Sequence, residues 1–190
     1  MTTYDQHYQE SHLFGDPYPE FVEFIQQWPT RGDALDLGCG QGRDALMLAA
    51  LGFHVTAIDA SQVGVEQMMA EAKARGLTIN GMVADFYATG IDGNYDLIVL
   101  DAMLHFEEAD REQELGLLQQ AAEHLNPGGL LCLFIHKSAH KERTAKELIA
   151  NRHPDWPVLV DRYIDYLYEE KASDFRTKMQ FNMFFVQRPA

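Results

Sequence analysis

The sequence predicts an α/β fold with a doubly wound sheet of seven strands, five parallel and the last two in an antiparallel hairpin, with helices on both faces. Three observations predict it: short apolar runs alternate with segments of helical period, a glycine-rich loop follows the first run, and two strand-like runs lie near the C-terminus. Strands separated by helices pair in parallel, whereas strands joined by a short loop pair antiparallel.

The parallel strands are predicted from apolar runs of strand length that are bounded by turn residues. The runs are residues 34–37, 54–58, 79–84, 97–100 and 130–135. Apolar residues at helical spacing predict the helices between and around them. These helices are residues 19–28, 41–51, 61–75, 109–125 and 139–151.

The fourth of these helices carries an apolar stripe, which is expected to face the sheet. The stripe consists of Leu115, Leu118, Ala122 and Leu125. Residues 126–129, with the sequence Asn-Pro-Gly-Gly, are expected to end the helix, because proline cannot continue it and glycine tolerates the turn.

The last two strands are predicted at residues 158–168 and 175–187, which are rich in aromatic and β-branched residues. The chain between them is too short for a crossover helix, so they should form a hairpin. Its aromatic residues are expected to cover the sheet edge, with a dimer contact as the alternative. They are Tyr163, Tyr166, Tyr168, Phe181, Phe184 and Phe185.

Length and composition indicate one domain, residues 1–190, with an N-terminal lid or helix segment (1–30), a cofactor-binding core (31–137) and a C-terminal helix and hairpin (138–190). No apolar run approaches the roughly 18 residues that a membrane-spanning helix needs, and the first residues resemble no export signal. Cys39 and Cys132 do not suggest a disulfide framework. A cytoplasmic protein is therefore expected.

The formal net charge of −14 argues against nucleic acid as a substrate, because this surface would repel a phosphate backbone. Residues 1–110 hold 18 acids and 4 bases, whereas residues 111–190 hold 11 of each. The expected partner is a small molecule, with no nucleic acid and no membrane, and the protein is expected to be a monomer or a homodimer.

The strongest chemical signal is the sequence Ala-Leu-Asp-Leu-Gly-Cys-Gly-Gln-Gly-Arg-Asp at residues 34–44, where a strand runs through a glycine loop into a helix. Glycines let the backbone approach a ligand closely, and the helix start offers free N–H groups. A dinucleotide-binding loop would carry a small residue at the position of Arg43. The loop therefore argues against NAD and FAD.

Two carboxylates indicate which ligand the loop binds. Asp36 ends the first strand, where its charge would repel a pyrophosphate but attract the ammonium and sulfonium groups of S-adenosylmethionine. Asp59 ends the second strand, where a carboxylate can accept both hydroxyls of a ribose. The alternative is that Asp59 or Ser61 only caps the next helix.

On these residues the chain resembles the class I S-adenosylmethionine-dependent methyltransferases, which have a Rossmann-like sheet. The resemblance covers about residues 30–136, and residues 35–61 are similar to the tellurite-resistance-type branch. It implies a set of cofactor-binding positions. These are Asp36, Gly38, Cys39 and Gly40 in the glycine loop, Asp59 and Ala60 after the second strand, Asp85 and Phe86 after the third, and Asp101 after the fourth.

The later positions carry weaker signals when they are considered without the resemblance. Asp85 could accept from an adenine amine and Phe86 could stack on the ring, but they could equally be a turn residue and a core residue. Asp101 is expected at the crevice where doubly wound folds bind ligands. His105 is either a general base or a surface histidine. Asp101 and His105 are the candidate catalytic residues.

The remaining polar and aromatic clusters have open roles. No metal site is expected, because His136 and His140 do not share one helical face. The basic cluster His136, Lys137, His140, Lys141 and Arg143 either attracts an anionic substrate or is a solvated helix face. The N-terminal aromatic residues either form a lid over the cofactor or pack on the first helix. They are Tyr4, His7, Tyr8, His12, Phe14 and Tyr18.

Together these features predict an enzyme that moves the methyl group of S-adenosylmethionine to a small-molecule acceptor by in-line displacement, leaving S-adenosylhomocysteine. A non-catalytic S-adenosylmethionine-binding regulatory protein is the alternative. A nicotinamide-dependent oxidoreductase is disfavoured by Asp36 and Arg43.

Overall fold

The computed structural model describes residue 8, residues 13–170 and residues 175–190. The described helices and strands alternate along the chain, as the apolar runs predict. Their order is α1 (Pro19–Gln27), β1 (Asp33–Leu37), α2 (Arg43–Ala50), β2 (His54–Asp59), α3 (Gln62–Ala74), β3 (Ile79–Val83), α4 (Phe86–Thr89), β4 (Tyr95–Asp101), α5 (Arg111–Glu123), β5 (Leu125–His136), α6 (Ala139–Arg152), β6 (Val158–Glu170) and β7 (Phe175–Gln187).

The strands form one sheet in the order β3-β2-β1-β4-β5-β7-β6. The first five pair in parallel, and β7 pairs antiparallel with both β5 and β6. The predicted fold class is therefore confirmed. The strand order reverses between β1 and β4, and ligands of open α/β sheets bind beyond the carboxyl ends of the strands at such a reversal.

The sheet is covered on both faces, as its apolar strands require. One buried cluster packs α1, α2 and α3 on the sheet, and it includes Phe21, Leu48 and Met68. The other packs α5 and α6 on the opposite face, around Leu118 and Ile149. The rigid sheet thus fixes the loops at its carboxyl edge.

Two of the four residues in the predicted apolar stripe lie buried on α5. Leu118 and Ala122 are fully buried, Leu115 is only partly buried, and Leu125 is buried as the first residue of the following strand β5. Leu117 and Ala121 take the buried face in addition. The helix therefore turns a wider face to the sheet than the predicted stripe, because two neighbouring rows of side chains reach the core.

One predicted boundary is wrong. Residues 126–129 do not separate α5 from the next strand, because β5 already begins at Leu125, which pairs with Tyr95. The N–H of Gly128 donates to the carbonyl oxygen of Arg188 at 3.0 Å, so the backbone of this segment is engaged by the C-terminal segment. The short helix α4 was not predicted, since four residues cannot show a helical period.

The C-terminal hairpin places β7 against β5 and leaves β6 at the sheet edge. Phe181, Phe184 and Phe185 of β7 are buried, whereas Tyr163 of β6 is 49% exposed. The hairpin thus covers the edge of the parallel sheet. The alternative, a dimer contact, stays a prediction, and the side chain of Tyr168 lies outside the described residues.

Within the described ranges, no helix combines the length and apolar character needed to span a membrane.

Candidate functional site

A cavity of about 1150 Å³ opens beyond the carboxyl ends of the parallel strands. The structure brings all ten predicted cofactor-binding and catalytic positions into its lining. They are Asp36, Gly38, Cys39, Gly40, Asp59, Ala60, Asp85, Phe86, Asp101 and His105. Pockets that bind a single drug-sized ligand have volumes of about 300–1,000 Å³, so this cavity has room for a nucleoside-sized molecule and a second small molecule.

The glycine loop leaves β1 with its backbone in conformations that favour glycine. Gly38, Gly40 and Gly42 have φ angles of 74°, 50° and 82°. A Cβ on Gly40 would lie 2.6 Å from the hydroxyl of Tyr8, and a Cβ on Gly42 would overlap the side chain of Met68. These glycines are therefore required by both backbone conformation and close approach.

Asp59 connects the glycine loop to the end of β2. Its Oδ2 accepts from the N–H of Gly40 at 2.8 Å, and its Oδ1 accepts from the N–H of Ser61 at 2.7 Å. Ser61, rather than Asp59, caps α3, because its hydroxyl accepts from the N–H of Gly64. Since each carboxylate oxygen has two lone pairs, Asp59 can hold the loop and still accept from a ligand.

Arg43 is a largely buried cation on the cavity wall, with 13% of its side chain exposed. It forms an ion pair with Asp101, and its Nη2 lies 3.5 Å from Oδ2 of Asp44. Its guanidinium also lies over the rings of Tyr18 and Tyr166, 4.4 Å and 5.7 Å from the ring centres. Burial alone would disfavour the charged form, but Asp44 and Tyr18 outweigh it and raise the pKa of Arg43.

Asp36 and Asp44 are buried beside this cation. Burial, with repulsion from Asp44, raises the pKa of Asp36 well above its ordinary range, although Arg43 and the N–H of Ala45 oppose the rise. Burial also raises the pKa of Asp44, and Arg43 again opposes it. The two carboxyl groups therefore resist being ionised at the same time.

Asp85 and Phe86 begin the short helix α4. Asp85 caps the helix by accepting from the N–H of Tyr87 at 3.0 Å, and Phe86 is buried with its ring 4.9 Å from that of Tyr87. Both residues also line the cavity. The turn-and-core interpretation thus describes their packing, and their role toward a ligand stays a prediction.

The loop after β4 is held in a strained shape. Ala102 and Phe106 have φ angles of 55° and 52°, which non-glycine residues adopt rarely. The buried carboxylate of Glu114 accepts from the N–H groups of both His105 and Phe106. Such strain is characteristic of functional loops, and here Glu114 fixes where the backbone of His105 lies.

A histidine pair lies at the carboxyl ends of β4 and β5. The rings of His105 and His136 are stacked with their centres 5.8 Å apart, and Phe181 lies 4.4 Å from His136. Burial, together with His105 and Lys141, lowers the pKa of His136. His136 is therefore placed to be neutral near neutral pH.

Aromatic residues join this pair to the N-terminal segment. Tyr8, Phe14 and Tyr18 line the cavity, and burial raises the pKa of Tyr18 to about 12. The hydroxyl of Tyr166 donates to the carbonyl oxygen of Phe14 at 2.9 Å. Tyr4, His7 and His12 lie outside the described residues, so the lid interpretation stays a prediction.

The cavity wall therefore has two parts. The loop side consists of the glycine loop, Asp59, Asp85 and Phe86, and the hairpin side consists of Tyr18, His105, His136, Tyr166 and Phe181. Arg43 joins them, because it pairs with Asp101 and lies over Tyr18.

The predicted basic cluster lies mostly outside the cavity. Lys137, His140 and Arg143 are exposed, so of the basic cluster only His136 lines the cavity. Across the described residues, no group of three or more His, Cys, Asp or Glu side chains could hold a metal ion. Cys39 and Cys132 are free and buried.

Several residues of the site were missed from the sequence. Arg43 was considered only as a mismatch to dinucleotide loops, and Asp44 and Glu114 were assigned no role. Asp44 directly follows Arg43, so an acid beside a base at a helix start was the available signal. Glu114 gave none, and Tyr166 was assigned to the hairpin edge, because only the topology brings both residues to the cavity.

Comparison with known proteins agrees with this geometry. A family model described as "Methyltransferase domain" matches residues 34–129, from β1 into β5. The chain is 30% identical to the cypemycin N-terminal methyltransferase of a Streptomyces species over 130 residues, which are 68% of this chain and 51% of that protein. It is 37% identical to the 2-heptyl-1-hydroxyquinolin-4(1H)-one methyltransferase of Mycobacteroides abscessus over 93 residues, 48% of this chain and 41% of that protein.

A third relative is the probable S-adenosyl-L-methionine-dependent methyltransferase TehB of Haemophilus influenzae. It is 36% identical over 95 residues, which are 50% of this chain and 32% of that protein. Its crystal structure superposes with a TM-score of 0.74 at 22% identity, covering 97% of this chain and 65% of that one, which shows a shared fold. The matches span about half or less of the length of these curated relatives.

Proposed function

This chain belongs to the class I S-adenosylmethionine-dependent methyltransferases, of the TehB type, and we propose that it methylates a small-molecule acceptor. The observation that carries the proposal is the two-sided cavity, which extends from the glycine loop to the histidine pair. A cofactor on the loop side would leave the hairpin side for an acceptor.

The residues of the loop side suit the cofactor. Asp36 is buried, and its Oδ2 has no hydrogen-bond partner in the described part of the chain, which is the kind of atom that a ligand ammonium would satisfy. Asp59 would accept the ribose hydroxyls, the backbone of Gly38 and Gly40 would lie along the methionine part, and Asp85 with Phe86 would hold the adenine.

When bound, S-adenosylmethionine supplies an electrophilic methyl group on a sulfonium. The chain's own contribution is to bind both molecules, exclude water and position the accepting atom about 3 Å from that methyl group. The strained loop held by Glu114 and the aromatic rings of Tyr18 and Phe181 give the hairpin side the fixed shape that positioning requires.

An acceptor with a hydroxyl or amine must also lose a proton. Asp101 is occupied by its ion pair with Arg43 and by the hydroxyl of Tyr18 at 3.4 Å, so its part would be to orient these groups. His105 is exposed to the cavity on the same loop and would accept the proton. A soft, already ionised acceptor would need no base.

A small acceptor is favoured by two features. The hairpin side is enclosed by aromatic rings, which suits a compact molecule. The net charge of −14 disfavours RNA. One relative is named for a hydroxyquinolinone and another for N-terminal methylation, so a ring-bearing hydroxyl compound is the first small acceptor to test and a peptide is the rival class.

The test is formation of S-adenosylhomocysteine from S-adenosylmethionine in the presence of acceptor panels. The panels are hydroxylated heteroaromatics, thiols, chalcogen oxyanions, short peptides and a structured RNA. Turnover with a small molecule, lost in His105→Gln with cofactor affinity kept, supports the proposal. Turnover with only the peptides or the RNA contradicts it.

A further inference from the structure

Two carboxyl groups beside the glycine loop are buried without full hydrogen bonding. Asp36 is 2% exposed and Asp44 is 4% exposed, and both line the cavity. Oδ2 of Asp36 and Oδ1 of Asp44 have no hydrogen-bond partner in the part of the chain that the structure describes. Buried polar atoms are costly when unsatisfied, so packing alone does not account for this pair.

The charges around the pair do not balance. Asp44 and Asp101 both pair with the guanidinium of Arg43, and the same cation acts electrostatically on Asp36, so three carboxyl groups depend on one positive charge. The other titratable groups that face the pair are acids or neutral groups. They are Asp59, Cys39, Tyr18 and Cys132.

We propose that one of the two carboxyl groups of Asp36 and Asp44 is protonated in the absence of the cofactor, and that the pair exchanges this proton for the ammonium group of the cofactor. Asp44 is thereby assigned to cofactor binding together with Asp36. The inference rests on the proposed position of the cofactor's methionine part at the glycine loop.

The exchange balances in charge and in bonds. One carboxyl O–H bond breaks and its proton passes to the solvent, while the ammonium stays charged and donates hydrogen bonds to the carboxylate oxygens. Two carboxylates in one low-dielectric site resist joint ionisation, and a bound cation removes that resistance. The raised pKa of Asp36, which burial and Asp44 cause, agrees with a held proton.

A pH dependence follows with a defined sign. Because binding releases a proton, the affinity for S-adenosylhomocysteine should rise as the pH rises, by about tenfold per pH unit for one proton. The rise should stop once the pH exceeds the pKa of the pair in the empty protein, since no proton is then left to release.

The test is calorimetric titration of the full chain with S-adenosylhomocysteine at each pH from 6 to 9, in two buffers that both work at that pH but differ in ionisation enthalpy. The difference between the two buffers counts the protons released. The matched probe is 5′-methylthioadenosine, which keeps the adenosine and the thioether but lacks the ammonium. We expect nearly one proton for S-adenosylhomocysteine at the low end of this range and none for methylthioadenosine.

Variants assign the proton to its site. Asp36→Asn and Asp44→Asn should each abolish the release, whereas Asp33→Asn, at the opposite end of β1, should keep it. If the wild-type protein binds S-adenosylhomocysteine without releasing a proton at any pH tested, or releases as many with methylthioadenosine, the inference is wrong and the proposed function stands. If the folded protein binds neither ligand, both are wrong.

Discussion

The two sides of the cavity are built in different ways. Most of the loop side comes from one stretch of the chain, because Asp36, the glycine loop and Asp59 lie between the start of β1 and the end of β2, and only Asp85 and Phe86 come from the later helix α4. The hairpin side is assembled from distant elements: Tyr18 precedes α1, His136 ends β5, and Tyr166 and Phe181 lie on β6 and β7. A local motif encodes the first, whereas the topology of the sheet encodes the second.

This difference suggests a division of labour. A continuous motif can keep its geometry while other parts of the chain change, which suits binding of a common cofactor. Elements from the C-terminal hairpin can vary independently of that motif, which suits recognition of a particular acceptor. Arg43 is the link between the two sides, because it follows the glycine loop and contacts Asp101, Tyr18 and Tyr166.

Replacing Arg43, which joins the two sides of the cavity, should have the largest effect on the free energy of unfolding. Arg43→Met leaves three buried or nearly buried carboxyl groups without their cation, and breaking a buried ion pair costs about 3–5 kcal/mol of unfolding free energy. Urea denaturation at neutral pH would measure it. The control is Arg75→Met: Arg75 is 49% exposed in its ion pair with Glu71, so its loss should cost less than about 1 kcal/mol. Equal losses would contradict the role given to Arg43.

Disrupting the loop side at Asp59 should weaken the cofactor specifically. Asp59→Ala removes the acceptor for the N–H groups of Gly40 and Ser61 and for the ribose, which should reduce the affinity for S-adenosylhomocysteine by about 10- to 100-fold. Calorimetry measures the affinity, and Asp33→Ala on the same sheet serves as the control. Unchanged affinity in Asp59→Ala would sink the ribose assignment.

The shape of the glycine loop can be tested with a smaller change. Gly42→Ala places a Cβ at a φ of 82° and against Met68, and it should cost about 1–3 kcal/mol. Gly52→Ala has a similar φ of 93° but meets nothing within 4 Å, so it reports the backbone strain alone. Thermal unfolding of both variants should show the larger loss in Gly42→Ala. An equal loss would mean that the contact with Met68 is unimportant.

The smallest predicted effect concerns the hairpin side. Lys141 contributes to the lowered pKa of His136, so Lys141→Gln should raise that pKa while the affinity for S-adenosylhomocysteine stays the same. NMR titration of the imidazole signals measures the pKa. Because the pKa is depressed in the folded state, the stability that His136 contributes is present at high pH and is lost as the pH falls through that value. An unmoved titration would remove Lys141 as a cause.

The sequence predicted the loop side well and the hairpin side poorly, for physical reasons. Apolar runs that alternate with helical segments predict which segments are strands and that these strands pair in parallel. The glycines of the loop indicate positive φ angles, because glycine adopts them readily. The shared burial of Asp36 and Asp44 and the pairing of Arg43 with Asp101 depend on where β4 lies beside β1. Nothing local marks Glu114, whose bonds to the loop after β4 require α5 to pack beside it.

The boundary error has a similar origin. Residues 126–129 contain proline and glycine, which locally favour a turn, yet they lie within β5, because Leu125 and Leu130 on either side pair with β4 and Arg188 bonds to the backbone of Gly128 and Gly129. Tertiary pairing overrides local preference at such positions.

The assignment of the cofactor to the loop side is tested most directly by calorimetric titration with S-adenosylhomocysteine, with NAD as the control ligand. Three proteins are compared: the wild-type chain and the two single variants Asp59→Ala and His136→Asn. We expect the wild-type protein and His136→Asn to bind S-adenosylhomocysteine with similar micromolar affinity and Asp59→Ala to bind it more weakly. None of the three should bind NAD. Failure of the folded wild-type protein to bind S-adenosylhomocysteine, or an equal loss in both variants, would contradict the assignment of the cofactor to the loop side.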